Sequence, residues 1–103
     1  MYDVRFLPAA RQDMVDIARY IAVELKAVDA ARALIEAFST AVERLAEFPY
    51  ACRLFLPPRP LKREYRAMPV KNYMLFYWIE EEKKAITVAR VLYRGRDTHS
   101  ILR

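Results

Sequence analysis

The sequence is poor in three residue types that carry much of protein chemistry. Among its 103 residues there is one glycine, one cysteine and one histidine. A single glycine excludes the glycine-rich phosphate loops of P-loop and dinucleotide-binding proteins, where several positions must let backbone approach a phosphate. A single cysteine excludes an internal disulfide and any multi-cysteine zinc site, and it fits a reducing, cytoplasmic setting. There is no run of about 18 apolar residues, so no membrane-spanning helix is expected. The first residues lack the basic and apolar regions of a secretory signal. Neither an internal repeat nor a low-complexity tract is present.

What remains is 55% hydrophobic and 30% charged. That apolar fraction is too high for a disordered chain. The length suits one domain spanning residues 1–103 with a single core. The net charge of +5 is unevenly spread. Residues 1–50 hold six Lys/Arg against eight Asp/Glu, a net −2, whereas residues 51–103 hold twelve against five, a net +7. A basic half of this kind points to an anionic partner, either nucleic acid or an acidic protein segment; a solvated basic surface that serves solubility is the plain alternative.

Hydrophobic periodicity places the elements. Tyr2 to Leu7 alternates with a period of two and reads as a half-buried strand, ended by Pro8 at a helix start with no side-chain cap before it. Met14, Ile17, Ala18, Ile21 and Leu25 then form one helical stripe. Asp29 is the expected cap of a second helix, whose stripe is Ala31, Leu34, Phe38, Ala41 or Val42, and Leu45, with Pro49 as its stop. The short connection predicts an antiparallel helical hairpin.

Residues 51–63 contain Pro57, Pro58 and Pro60 and read as a partly extended loop. Tyr65 to Met68 is a short strand that Pro69 confines to a strand end or an edge. Tyr73 to Ile79 is apolar throughout and fits a central strand covered on both faces. Ala85 to Leu92 is rich in β-branched residues and forms a third strand, joined to the second by a charged loop that lacks the glycine of a two-residue turn. The order β-α-α-β-β-β is that of an α+β fold, with a helical hairpin packed on a mostly antiparallel sheet.

Candidate chemistry is sparse. Glu80, Glu81 and Glu82 fall in a turn, where charge discourages edge association. Glu64 beside the basic loop is a candidate base, with a surface ion pair as its simpler role. One histidine and one cysteine, at 99 and 52, give no metal-ligand spacing, and no metal or cofactor is expected. Cys52 reads as a small packing residue. His99 titrates near neutrality and offers acid–base chemistry if a partner group lies beside it. The arginines are the most informative group, since a planar guanidinium suits phosphate or carboxylate. Lys62, Arg63, Arg66, Lys71, Arg90, Arg94 and Arg96 are the candidate residues for binding a target or an anionic protein partner. Tyr65, Tyr73, Tyr77 and Tyr93 interleave with them, compatible either with single-stranded nucleic acid or with tyrosines turned into a core.

Several short segments, taken in order, resemble one family along essentially the whole chain. These are Tyr2-Asp3-Val4-Arg5-Phe6 at the start, Asp13 and Ile17 in the first helix, and Tyr20-Ile21 late in it. Leu45 with Pro49 ends the second helix. Tyr65-Arg66, Asn72-Tyr73, Phe76-Tyr77 and Arg90-Val91-Leu92-Tyr93 with Arg96-Asp97 complete the set. The family is the RelE/ParE superfamily, the toxin halves of bacterial type II toxin–antitoxin pairs. The resemblance implies the α+β fold read above and a growth-inhibiting protein. It also implies a cognate antitoxin whose flexible segment wraps the toxin into a hetero-oligomer.

The family divides by target: RelE-like members cut messenger RNA on the ribosome, and ParE-like members inhibit DNA gyrase without being nucleases. Many RelE-like members carry Tyr-Arg on the central strand, where this chain has Tyr73-Met74, and a tyrosine near the C-terminus, where it has His99-Ser100-Ile101-Leu102-Arg103. These departures favour a non-enzymatic, ParE-like protein that binds and poisons gyrase. A ribosome-dependent ribonuclease with Arg66, Arg94, Arg96 and His99 as a reduced catalytic set is the alternative, and an inactive homologue that only binds its antitoxin is the third.

Overall fold

The computed structural model describes residues 1–56, 61–95 and 101–102. Strand β1 (Asp3–Phe6) leads into helix α1 (Pro8–Arg19), which continues through a π-helical turn over Tyr20–Glu24. Helix α2 (Val28–Glu47) follows, then β2 (Arg66–Val70), β3 (Tyr73–Glu80) and β4 (Ala85–Tyr93). The four strands form one sheet in the order β1-β4-β3-β2. The β2–β3 and β3–β4 pairs are antiparallel, and β1 lies parallel to β4. The α+β order expected from periodicity is therefore present, on a mixed sheet. A parallel neighbour requires a crossover, and the helical hairpin supplies it.

Each helix end shows what replaces a missing signal. Pro8 occupies the first turn of α1 without a side-chain cap, and the Leu7 carbonyl accepts from the Ala10 and Arg11 amides. Asp29 does not cap α2. The helix begins one residue earlier, with the Ala27 carbonyl accepting from Ala31, and Asp29 lies in the first turn, where a carboxylate favours the helix dipole. The stripe of α1 also ends sooner than expected. Met14, Ile17 and Ile21 pack on the core, but Leu25 is 56% exposed. The wider π-helical turn carries position 25 off the stripe.

The core has two parts, one on each side of the sheet. On the helix side, Leu34, Phe38, Ala41 and Leu45 of α2 pack on Leu75, Tyr77, Ile86, Val88 and Val91. On the far side, Tyr65 and Leu102 cover Phe76, Ala89 and Leu92. The uninterrupted apolar run of β3 is thus explained by cover on both faces. β2 runs through Pro69 to Val70, two residues beyond the expected end, because an edge strand has ladder positions that need no N–H.

With so little glycine, lysines take the left-handed backbone positions. Lys26 closes the helical hairpin (φ 51°), Lys71 sits in the β2–β3 turn (φ 54°), and Lys84 ends the 3₁₀ turn Glu81–Lys83 between β3 and β4 (φ 50°). Such a conformation crowds Cβ and is costly outside glycine, asparagine and aspartate. Among the described residues, no helix is long and apolar enough to cross a membrane.

Candidate functional site

Among the described residues, the basic side chains of the second half divide between three places rather than gathering at one. Arg90 is turned inward to α1. Its Nε donates to Asp13 Oδ2 at 2.7 Å and its Nη2 to Asp13 Oδ1 at 2.8 Å, a bidentate pair whose side chains are 27% and 14% exposed. The backbone N–H of Val91 also donates to Asp13 Oδ2, at 2.9 Å. The topology explains this arrangement. β1 accompanies β4 only from Ala85 to Val88, and the Leu7 amide takes the Val88 carbonyl. Beyond that point no described strand lies on the β1 side of β4, and the Asp13 carboxylate takes the ladder amide of Val91. A bulge places Phe76 opposite Arg90 and Tyr77 opposite Val88, which shifts the register at Ala89 and re-aims the arginine.

Arg66 is likewise held. Its Nη1 donates to the Cys52 carbonyl at 2.7 Å, and its guanidinium lies 5.1 Å from the Tyr50 ring centroid. The buried Tyr77 hydroxyl donates to the Pro49 carbonyl at 2.7 Å, and burial pushes its pKa up. These two bonds fix the segment after α2 against the sheet. Cys52 packs against the core beside it, the small packing role expected from sequence.

A cleft of about 320 Å³ opens in front of Arg66. Lys62, Arg63, Glu64 and Trp78 line it together with Tyr50. The Arg63 guanidinium stacks 4.1 Å from the Trp78 ring centroid. The cleft combines cations with an aromatic surface, a pairing able to hold an acidic peptide or a nucleobase with its phosphate. Nearby, Glu81 accepts hydrogen bonds from the Tyr2 hydroxyl at 2.7 Å and the Tyr50 hydroxyl at 2.6 Å, and it pairs with Lys84. Those bonds, led by Lys84, hold its carboxyl down at about 2.

Lys71 and Arg94 lie at the other end of the β2–β3 ladder. The Arg94 amide donates to the Asn72 carbonyl at 2.8 Å, and its guanidinium reaches the Lys71 carbonyl at 3.5 Å. Lys71 also borders a groove of about 610 Å³ between α2 and β2, lined by Arg44, Phe48, Met68 and Val70. Arg66 pairs with Tyr77 in that ladder and Arg94 lies beside Asn72, so these two members of the reduced catalytic set are not brought together. The other two, Arg96 and His99, lie outside the described residues. Glu64, the candidate base, is an exposed residue at the cleft wall.

Sequence reasoning missed Asp13 as the partner of Arg90, because 77 residues separate them and neither carries a local signal. It also missed Trp78 and Tyr50 as the aromatic walls of the cleft. Trp78 was open to discovery from strand alternation, since it lies two positions from Phe76 and so shares its face.

The comparisons with known proteins agree with this architecture. A family model described as the ParE toxin of the type II toxin–antitoxin system, parDE, matches residues 4–98. Among solved structures, the chain is similar to one of the chromosomal ParDE toxin–antitoxin system from P. aeruginosa, with a TM-score of 0.70 and 16% identity, covering 92% of this chain and 98% of that one. It is also similar to the RelBE2 toxin–antitoxin complex from Mycobacterium tuberculosis, with a TM-score of 0.57 and 26% identity over 90% and 98% of the two chains. A third similar structure is the intact E. coli RelBE complex, with a TM-score of 0.58 and 17% identity over 93% and 100%. No curated protein matches the sequence. With the family model covering nearly the whole length, the chain belongs to the ParE toxin family of type II toxin–antitoxin systems, within the RelE/ParE superfamily.

Proposed function

We propose that this toxin inhibits growth by binding and poisoning DNA gyrase, and that a cognate acidic antitoxin neutralises it by covering the basic half. The observation that carries the gyrase reading is the fate of the strand arginines. Arg90 is consumed by Asp13, Arg66 is tied to a backbone carbonyl, and Arg94 lies at the far end of the ladder. Cleavage at a 2′-hydroxyl needs a base and cations converging on one phosphate. A surface with dispersed cations and an aromatic cleft suits recognition of a large partner better than chemistry on a small one. The net +7 of residues 51–103 supports an acidic antitoxin.

The cleft formed by Lys62, Arg63, Glu64 and Trp78 supports a second reading as a ribosome-dependent ribonuclease. The same experiment separates the two. Purified toxin is added to a gyrase supercoiling assay, and messenger RNA from induced cells is mapped by primer extension. Loss of supercoiling or trapped cleavage complexes, with intact transcripts, is expected. Ribosome-dependent cuts with normal gyrase activity would overturn the gyrase reading. Absence of toxicity in a host lacking the antitoxin would instead favour a homologue that only binds its antitoxin.

A further inference from the structure

Two guanidinium groups of the cleft in front of Arg66 lie against aromatic rings. Arg63 stands 4.1 Å from the Trp78 ring centroid, and Arg66 stands 5.1 Å from that of Tyr50. The fold holds both pairs from behind. Trp78 meets the buried Tyr65 edge-on, with centroids 5.9 Å apart and ring planes at 77°. Its indole N–H donates to Glu80 Oε1 at 3.4 Å. Tyr50 is anchored through its hydroxyl on Glu81, and Arg66 through the Cys52 carbonyl. Groups ordered in advance lose less entropy when a ligand arrives.

A guanidinium that lies over a ring keeps its N–H edge for an anion. Arg63 is exposed, so the outer face of its guanidinium is also open to a further planar group. Lys62 brings a third positive charge to the cleft. The adjoining sequence 57–60, Pro-Pro-Arg-Pro, contains one more cation and no carboxylate. Glu64 and Glu80 also line the cleft. Glu80 is engaged by Trp78 and Lys83, whereas Glu64 is exposed at the wall. An acid-rich peptide would use the cations, leave the rings unused and be repelled by both glutamates. A nucleotide matches every component: its phosphate takes the guanidinium edges, its base extends the stack, and the N–H donors of the base meet a carboxylate. At about 320 Å³ the cleft is near the lower limit of small-ligand sites, roughly 300 Å³, which suits a single unpaired nucleotide.

We infer that this cleft is a nucleotide-binding site. The base stacks on the Arg63–Trp78 pair, the phosphate lies on Lys62, Arg63 and Arg66, and Glu64 accepts from the base. Guanine is the preferred base, because its two adjacent N–H donors match the two oxygens of a carboxylate. The nucleotide is either free or one unit of a single strand, since both present the same base and phosphate. The site requires no cleavage of the ligand and does not rest on gyrase as the target.

Trp78 is the single tryptophan of the chain, so its fluorescence reports on this cleft. The test titrates the full-length protein with guanosine monophosphate and with a short guanine-containing single strand of DNA, using calorimetry for affinity and Trp78 fluorescence for location. Saturable quenching is expected. Arg63→Ala should weaken binding about tenfold, through loss of the stacked cation. Glu64→Gln should abolish a preference of about fivefold for guanosine over uridine monophosphate. Arg44→Ala, a cation on the separate groove beside α2, should leave binding unchanged. All three positions are exposed, and an unchanged circular dichroism spectrum verifies folding. Tighter binding of the strand identifies single-stranded nucleic acid as the source, and tighter binding of the monophosphate identifies a free nucleotide; either result supports the site. An absence of saturable quenching, full affinity in Arg63→Ala, or an equal loss in Arg44→Ala would overturn it. A hexaglutamate peptide that displaces the nucleotide at equal concentration would overturn the nucleotide assignment in favour of an acidic protein segment. Equal binding of guanosine and uridine monophosphates would overturn the role of Glu64.

Discussion

Two tyrosine clusters sit at opposite ends of the sheet. At the β3–β4 turn, Tyr2 and Tyr50 close on the Glu81 carboxylate, which Lys84 also holds. At the other end, Tyr20, Tyr73 and Tyr93 line a cleft, and none of their hydroxyls bonds to another of the described residues. The first cluster ties chain segments together: the N-terminal strand, the residues after α2 and the tip of a hairpin meet at a single carboxylate. The second joins its elements through ring packing alone, Tyr73 meeting Phe38 and Tyr93 edge-on. The same contrast exists within a single turn of α1, where Asp13 is locked in an ion pair and Asp16, three residues on, faces outward. Polar side chains that look alike in sequence thus separate into those that build the fold and those that are offered to something else.

If that division is right, substitutions should fall into two classes of cost. The largest loss is expected for Asp13→Ala, which leaves Arg90 unpaired and the Val91 amide without an acceptor; about 3 kcal/mol of unfolding free energy should disappear in a urea melt. Replacing both partners, as Asp13→Leu with Arg90→Met, should recover much of it, because the penalty lies in the orphaned charge. Tyr77→Phe is next, at about 1–2 kcal/mol, since it leaves the Pro49 carbonyl unsatisfied in a buried setting. Tyr73→Phe, at the open cluster, should stay within roughly 0.5 kcal/mol of the parent. A loss as large as that of Tyr77→Phe would show that its hydroxyl is structural and erase the contrast.

The smallest effect concerns pH. The folded-state carboxyl of Glu81 is depressed to about 2 from an ordinary 4.5, so its contribution is complete above the unfolded value and fades as pH falls from there through the folded one. An NMR titration following the rings of Tyr2 and Tyr50 should show both moving together with a midpoint near 2. A midpoint at an ordinary glutamate value would mean that the cluster is loose in solution.

Much of the fold was legible because its causes are local. The stripe Ala31, Leu34, Phe38, Ala41 and Leu45 repeats at helical spacing and is buried as read. The unbroken apolar run of β3 signalled cover on two faces, and Pro69 signalled an edge. What escaped depends on residues far apart in the chain. The parallel pairing of β1 with β4 and the Asp13–Arg90 bond both join the beginning of the sequence to its last strand. The bulge at Ala89 leaves no trace in a pattern of β-branched residues. Arg90 reads as a partner-facing cation because charge is visible in sequence, whereas its pairing with the Asp13 carboxylate is not. Lys62, Arg63 and Arg66 do come together, since the turn into β2 holds them within a few residues of one another.

The three lysines in left-handed turns have a further effect, one that concerns the unfolded chain. A glycine at each of these positions would relieve the folded backbone but would give the denatured ensemble many more conformations to lose. By using side-chain-bearing residues at Lys26, Lys71 and Lys84, the chain accepts crowding in the native turn in exchange for a smaller entropic cost of reaching it. At Lys84 the side chain also does what no glycine could: its ammonium pairs with Glu81 and helps hold the tip of the β3–β4 hairpin on that carboxylate.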